Sequence, residues 1–78
     1  MKFYFTFGTD KQFPYQGGWV KVVANSRGEA CEKFRTRFPY RNYNTINCAF
    51  IYSEDAFSKT IMAQGGGCLG EYCHEVIE

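Results

Sequence analysis

The segment that decides the fold is Lys2-Phe-Tyr-Phe-Thr-Phe7, in which phenylalanine occupies every second position. Successive side chains of a β-strand point to opposite faces of a sheet, so the three phenylalanines share one face. Lys2, Tyr4 and Thr6 share the other. The segment therefore predicts a strand with one face buried in the core.

A second strand and a helix follow this strand. Trp19–Ala24 alternates in the same way after a loop over residues 8–18 that contains Gly, Pro and Asp. Ser26 with Glu29 three residues later forms a capping box that begins a helix. Pro39 ends this helix, because the residue before a proline is pushed out of helical geometry.

The inward stripe of the helix and the buried face of the first strand predict the core. Ala30, Phe34 and Phe38 recur every four residues and lie on one side of the helix. We expect this stripe to pack against the face formed by Phe3, Phe5 and Phe7. Arg35 and Arg37 fall in the last turns, where cations complement the helix dipole.

The second half of the chain predicts a strand, a short helix and an edge strand. The third strand covers Thr45–Tyr52, with Ile46, Cys48, Phe50 and Tyr52 alternating. Ser53 begins a short helix over Glu54–Met62 that would bury Phe57 and Ile61, and Glu71–Ile77 is the last strand. The order is ββαβαβ. It predicts one α+β domain over residues 1–78, with an antiparallel-rich sheet and the helices, one of them the main helix, on one sheet face.

The composition predicts a surface that carries aromatic side chains. The chain has 78 residues, among them 8 Phe, 6 Tyr and 1 Trp. A core this small cannot hide all of them, and exposed Tyr and Trp are typical of binding surfaces. The sequence shows neither a signal peptide nor an apolar run long enough to cross a membrane, so we expect a cytoplasmic protein with no membrane contact.

Charge is distributed unevenly along the chain, although the net charge is only +1. Residues 11–41 hold seven Lys or Arg against two Glu, whereas residues 42–78 hold one Lys against five carboxylates. This asymmetry steers an anionic partner to one side of the molecule if the fold keeps the halves apart. A fold that interleaves the two halves removes the effect.

Three segments resemble small proteins encoded by phages and prophages of Gram-positive bacteria. They are FYFTFGTDKQFPYQGGWVKVVA (3–24), SRGEACEKF (26–34) and CAFIYSEDAF (48–57). Those proteins have a similar F-T-F-G strand, a V-x-V-x-A strand and an A-F-x-Y-[ST]-E-[DE] joint. This chain departs from them in RTRFPYRNYN (35–44) and GGGCLGEYC (65–73), where a specific function would lie. The resemblance implies expression in a bacterial host.

The main candidate binding surface is the basic aromatic segment near the end of the first helix. Arginine makes bidentate contacts to phosphates and carboxylates, and tyrosine rings stack on bases or guanidinium groups. Trp19, which faces away from the Val20 and Val22 face, is a second candidate. The predicted binding residues are Arg35, Arg37, Tyr40, Arg41, Tyr43 and Trp19. Alternatively, the two helical arginines are helix-end charges, and the aromatic residues belong to the core.

The cysteines, the single histidine and the glycine run do not predict chemistry. Cys68, Cys73 and His74 with Cys31 or Cys48 would supply zinc ligands, but neighbours on a strand point to opposite faces. Buried reduced thiols are the preferred interpretation, and a disulfide is the other alternative. The G-x-G-x-x-G at 65–70 lacks the preceding strand and following helix of a dinucleotide site. We expect neither a catalytic residue, nor a metal, nor a cofactor.

These observations lead to a binding function rather than an enzymatic one. The leading hypothesis is a phage protein that inhibits a host defence, as anti-CRISPR proteins do, or a host enzyme, by covering an anionic or acidic surface of a host protein. One alternative is sequestration of a small nucleotide signal in the pocket of an oligomer. Two others are a nucleic-acid-binding module, which the low net charge disfavours, and a structural domain with a Cys/His metal site.

Overall fold

The computed structural model describes residues 1–39, 46–60 and 73–78, and its strands form one mixed four-stranded sheet. The elements are β1 (Lys2–Thr6), β2 (Trp19–Val23), α1 (Arg27–Arg37), β3 (Phe50–Ser53), α2 (Glu54–Ser58) and β4 (Cys73–Ile77). The sheet order is β3-β1-β2-β4. The predicted element order and α+β class are confirmed. No helix in the described ranges is long and apolar enough to span a membrane.

The ends of α1 follow the local signals in the sequence. The Glu29 backbone N–H donates to the Ser26 hydroxyl oxygen at 3.1 Å, which satisfies one of the free donors at the helix start. The Phe38 N–H donates to the Phe34 carbonyl at 2.7 Å and closes the last turn just before Pro39. The helix therefore begins and ends where the capping residue and the proline predict.

The predicted packing of α1 on the sheet is confirmed. Phe34 and Phe5 are fully buried, and their rings stack at 4.3 Å between centroids and 6° between planes. Phe34 also contacts the rings of Phe7, at 6.2 Å, and Phe38, at 5.0 Å. The core on this side of the sheet contains Phe3, Phe5, Phe7, Val20, Val22, Ala24, Ala30, Phe34, Phe38 and Cys48. We call the side covered by α1 the helix face.

The short helix α2 lies on the opposite side of the sheet, so the expectation that both helices share one face is wrong. The Phe57 ring stacks on Tyr4 at 3.9 Å and 5°, and Tyr4 points away from the core phenylalanines. Ser53 ends β3 and also caps α2, accepting from the Ala56 N–H at 3.2 Å. With no linker after β3, α2 folds directly onto this second side, which we call the open face.

The third strand begins five residues later than the sequence pattern predicts. Residues 46–49 are not part of a strand, and pairing with β1 begins at Phe50. Because the chain bends here, Ile46 and Cys48 pack against the helix-face core, whereas Phe50 is exposed. An alternation of apolar residues across a bend imitates a strand, and this explains the error.

The last strand, β4, occupies one edge of the sheet as expected and runs parallel to β2. Its described part covers Cys73–Ile77, and the first two residues of the predicted strand, 71 and 72, lie outside the described ranges. The pairing of β4 with β2 has an irregularity, because Trp19 pairs with Cys73 and Val20 pairs with Glu75. The inserted residue is His74, and both His74 and Glu75 therefore face α1.

Candidate ligand-binding site on the open face

The predicted basic aromatic segment is only partly described, since Tyr40, Arg41 and Tyr43 lie outside the described residues. Arg35 and Arg37 are exposed in the last turn of α1. The Arg37 Nε lies 2.8 Å from the Glu75 Oε1, and its guanidinium carbon lies 4.5 Å above the Phe38 ring. Contacts within the chain therefore already engage the Arg37 side chain.

This ion pair joins the basic and acidic halves of the chain. Glu75 belongs to the acidic second half, and β4 carries it to the C-terminal end of α1. The fold interleaves the two halves at this point, which is the alternative that removes directional steering. The charge asymmetry in the sequence thus does not by itself mark a binding side.

Tyr15 and His74 on the helix face have partners within the protein. The Tyr15 hydroxyl donates to Glu75 Oε2 at 3.4 Å, and the Tyr15 ring stacks on His74 at 4.1 Å and 2°. The His74 Nε2–H donates to the Gly17 carbonyl at 2.8 Å, since a carbonyl can only accept. Gly17 has φ 68°, a left-handed conformation that glycine adopts without strain. This arrangement fits the interpretation of His74 as an ordinary satisfied histidine.

The open face presents two rows of side chains fixed by the strand register. One row runs across Tyr52, Tyr4, Lys21 and Val76, and the other across Phe50, Thr6, Trp19 and Cys73. Trp19 and Tyr4 are half-buried, whereas Phe50 and Val76 at the two edges are 57% and 47% exposed. Aromatic side chains that are not part of the helix-face core are therefore concentrated on this face.

An open pocket of about 420 Å³ lies between α2 and the open face. Its lining consists of Tyr4, Trp19, Lys21, Glu54, Phe57, Ser58 and Cys73. The Phe57 ring meets Trp19 edge-on, with centroids 5.0 Å apart, and lies flat on Tyr4. Three aromatic rings thus form apolar walls, with a cation and a carboxylate beside them. We call this site the aromatic pocket.

The charged groups of the aromatic pocket have no partner among the residues that the structure describes. In the described part of the chain, the Lys21 ammonium, the Glu54 carboxylate and the Trp19 indole N–H make no hydrogen bond or ion pair. By contrast, the Lys33 ammonium donates to the Val23 carbonyl at 2.8 Å and pairs with Glu29 at 3.4 Å. The pocket therefore offers one free donor group and one free acceptor group next to aromatic rings.

The Tyr4 hydroxyl adds a donor to the aromatic pocket. Burial raises the pKa of Tyr4 above its ordinary value, and the electrostatic effects of the neighbouring Glu54 and Cys73 act in the same direction. Each of these causes disfavours the phenolate. The hydroxyl consequently remains protonated at neutral pH and can donate a hydrogen bond.

A second open pocket of about 520 Å³ adjoins the first. Glu54 and Ser58 line both pockets, and Lys2 supplies a second ammonium. Met1, Ser53 and Asp55 complete its lining. A ligand that fills the aromatic pocket can therefore extend along α2 towards a further positive charge.

The cysteines show no arrangement that suggests chemistry. Burial raises the pKa of the Cys48 thiol to about 12, so this thiol stays protonated at neutral pH. Cys73 lines the open face, whereas the His74 ring contacts Tyr15 on the helix face. Within the ranges that the structure describes, no three His, Cys, Asp or Glu side chains come together as metal ligands. Cys68 and the glycine run at 65–70 lie outside those ranges.

The sequence identified Trp19 but missed the other lining residues of the aromatic pocket. Alternation in β1 and β2 already places Tyr4 and Lys21 on the face that bears Trp19, and this was the available signal. Glu54 and Phe57 had no such signal, because α2 was expected on the other side of the sheet. Comparison of the chain with protein-family models, with curated proteins and with solved structures finds no match.

Proposed function

We propose that the protein is a non-enzymatic binding protein that holds a nucleotide in the aromatic pocket of its open face. The observation that carries this proposal is the presence of an unpaired ammonium and an unpaired carboxylate, on Lys21 and Glu54, beside three aromatic rings. Lys21 is half-buried and Glu54 is exposed, so both groups are accessible to a ligand that enters the pocket.

The chemistry of the pocket suits a planar, polar ring. Nucleobases stack on aromatic side chains, with each such contact contributing about 1–3 kcal/mol. The volume of about 420 Å³ falls within the usual size of small-molecule sites. If a base stacks on Trp19, the hydrogen-bond donors and acceptors along its edge would lie near charged side chains and not only near apolar rings.

Lys2 in the adjoining pocket would hold the phosphate end of such a ligand, beside the carboxylates of Glu54 and of Asp55, which pairs with Lys59. Lys2 lies on the same face of β1 as Tyr4, and its ammonium makes no ion pair in the described ranges. Lysine serves proteins as a compact positive charge for phosphate groups. A nucleotide would place its base in the aromatic pocket and its phosphate near Lys2.

The resemblance to phage-encoded proteins supplies the biological setting of the proposal. In this proposal the protein inhibits a host response by withholding a nucleotide signal, with one ligand bound in each occupied pocket. The high pKa of the buried Cys48 thiol argues against this one cysteine as a nucleophile. Inhibition of a host defence therefore follows from binding alone.

A host protein that covers the open face is the second candidate function. Phe50 and Val76 are exposed at the two edges of this face, with the half-buried rings of Tyr4 and Trp19 between them. Aromatic residues are enriched in protein interfaces. Lys2 and Lys21 give this surface the cations that an acidic partner protein requires.

Nucleotide titration tests the proposal, with Trp19 as the only tryptophan and therefore the only indole reporter. We expect GMP or AMP to quench its fluorescence saturably, and ribose 5-phosphate to leave it unchanged at matched ionic strength. Lys21→Ala should weaken binding roughly tenfold, since about 1.4 kcal/mol corresponds to one decade. Lys11→Ala, an exposed lysine in the loop before β2, is the matched control and should bind like the wild type.

Two results would contradict the nucleotide proposal. One is quenching that never saturates, and the other is equal quenching by ribose 5-phosphate, which lacks a base. Absence of nucleotide binding, together with capture of a host protein by the wild type but not by Lys21→Ala, would favour the second candidate.

A further inference from the structure

We infer that the aromatic pocket selects guanine among the nucleobases, with Glu54 and Lys21 as the residues that determine this choice. The inference rests on the proposed nucleotide site and specifies its ligand. It starts from two charges of opposite sign that line one pocket without pairing with each other or with another described residue.

Glu54 supplies the feature that distinguishes guanine from adenine. An ionised carboxylate only accepts hydrogen bonds, through two oxygens. Guanine presents two neighbouring donors, N1–H and the N2 amino group, and these match the two oxygens. Adenine presents an amino group beside the acceptor N1, so one carboxylate oxygen would face a lone pair. A carboxylate in this position therefore favours guanine.

Lys21 supplies the complementary donor. Guanine carries the acceptors O6 and N7 next to its donor edge, and lysine is a frequent partner of these two atoms. Lys21 lies directly opposite Tyr4 in the sheet, and Glu54 begins α2 above the same strands. In the inferred arrangement, a guanine ring against Trp19 would turn its acceptor edge to Lys21 and its donor edge to Glu54.

The surroundings of Glu54 keep it available for this contact. The neighbouring acid Asp55 pairs with Lys59 at 3.4 Å within α2, whereas Glu54 has no cationic partner in the described ranges. The Tyr4 hydroxyl, which is protonated, adds a further donor for an acceptor atom of the base. Each of the three polar side chains thus has a complementary hydrogen-bond donor or acceptor on guanine.

Competition among three purine nucleotides tests the inference through Trp19 fluorescence. GMP, IMP and AMP differ only in the base, and IMP keeps O6 and N1–H but lacks the amino group. We expect affinity to fall from GMP to IMP and again to AMP, by roughly tenfold in total, because one well-made edge contact discriminates by about 1–3 kcal/mol.

Glu54→Gln should remove most of this preference, because an amide offers one acceptor and one donor in place of two acceptors. GMP affinity should drop by roughly tenfold, and AMP affinity should rise, because the amide can donate to adenine N1 and accept from its amino group. The matched control is Glu32→Gln on the exposed side of α1, which should keep the full preference for GMP. Circular dichroism of both variants checks that the fold is retained.

The outcomes separate this inference from the proposed function. Saturable binding of GMP and AMP with equal affinity would overturn guanine selection and leave the nucleotide site standing. Binding of neither would overturn both, and an unchanged GMP preference in Glu54→Gln would overturn the assignment of Glu54. A guanine-containing single strand that competes better than GMP would identify nucleic acid as the source of the base, and the reverse order would identify the free nucleotide.

Discussion

Replacement of Phe34 by alanine should lower the free energy of unfolding by about 3–5 kcal/mol. Phe34 is fully buried in α1 and stacks on Phe5 at 4.3 Å, and it also meets Phe7 and Phe38. Truncation removes these contacts and leaves a cavity between the helix and the sheet. Small domains have only about 5–15 kcal/mol of stability in total, so this loss is a large fraction.

Urea denaturation followed by circular dichroism measures this effect. The matched control is Phe50→Ala, the same substitution at an exposed position on the open face. Exposed substitutions usually change stability by no more than about 0.5 kcal/mol. A Phe34→Ala variant with the midpoint of the wild type would contradict the packing of α1 on the sheet.

Replacement of Trp19 by alanine should have the largest effect on ligand binding. Trp19 forms a wall of the aromatic pocket and contacts the Phe57 ring edge-on, so its loss removes a stacking surface. Stacking of a base on an aromatic side chain contributes about 1–3 kcal/mol, and we therefore expect nucleotide affinity to fall at least tenfold. Equilibrium dialysis with a radiolabelled nucleotide is required, because the substitution removes the fluorescent reporter.

Phe50→Ala is again the appropriate control for this substitution. Phe50 is an aromatic residue of the open face, but it does not line the aromatic pocket. Nucleotide affinity should remain at the wild-type value in this variant. Equal affinities of Trp19→Ala and the wild type would place the ligand elsewhere on the protein.

The fold was predictable where the signals were local. The alternation of phenylalanine in β1 and the capping residue and proline around α1 depend on neighbours in the sequence, and both predictions are confirmed. The third strand is confirmed, but its start is predicted five residues too early because Ile46 and Cys48 continue the alternation across a bend. The parallel pairing of β4 with β2 had no local signal, since it joins segments that are far apart in the chain.

The candidate site was predictable only in part for the same reason. Trp19 is identified from its position on the outward side of β2, whereas the sequence places Glu54 only at the start of a short helix. The helix does begin at Glu54, but the position of α2 on the open face additionally brings Glu54 to the pocket. The hydrogen bond between Arg37 and Glu75 joins residues that are 38 positions apart in the chain, so no local sequence pattern predicts it.

A chemical-shift map of the protein during titration with GMP tests the central claim most directly. The sole indole N–H signal belongs to Trp19, so the aromatic pocket has an unambiguous reporter. The account predicts that the largest changes occur at the Trp19 indole and around Lys21 and Glu54. Largest changes at Arg35, Arg37 and residues 40–43, with the Trp19 indole unmoved, would contradict it and assign binding to the basic aromatic segment.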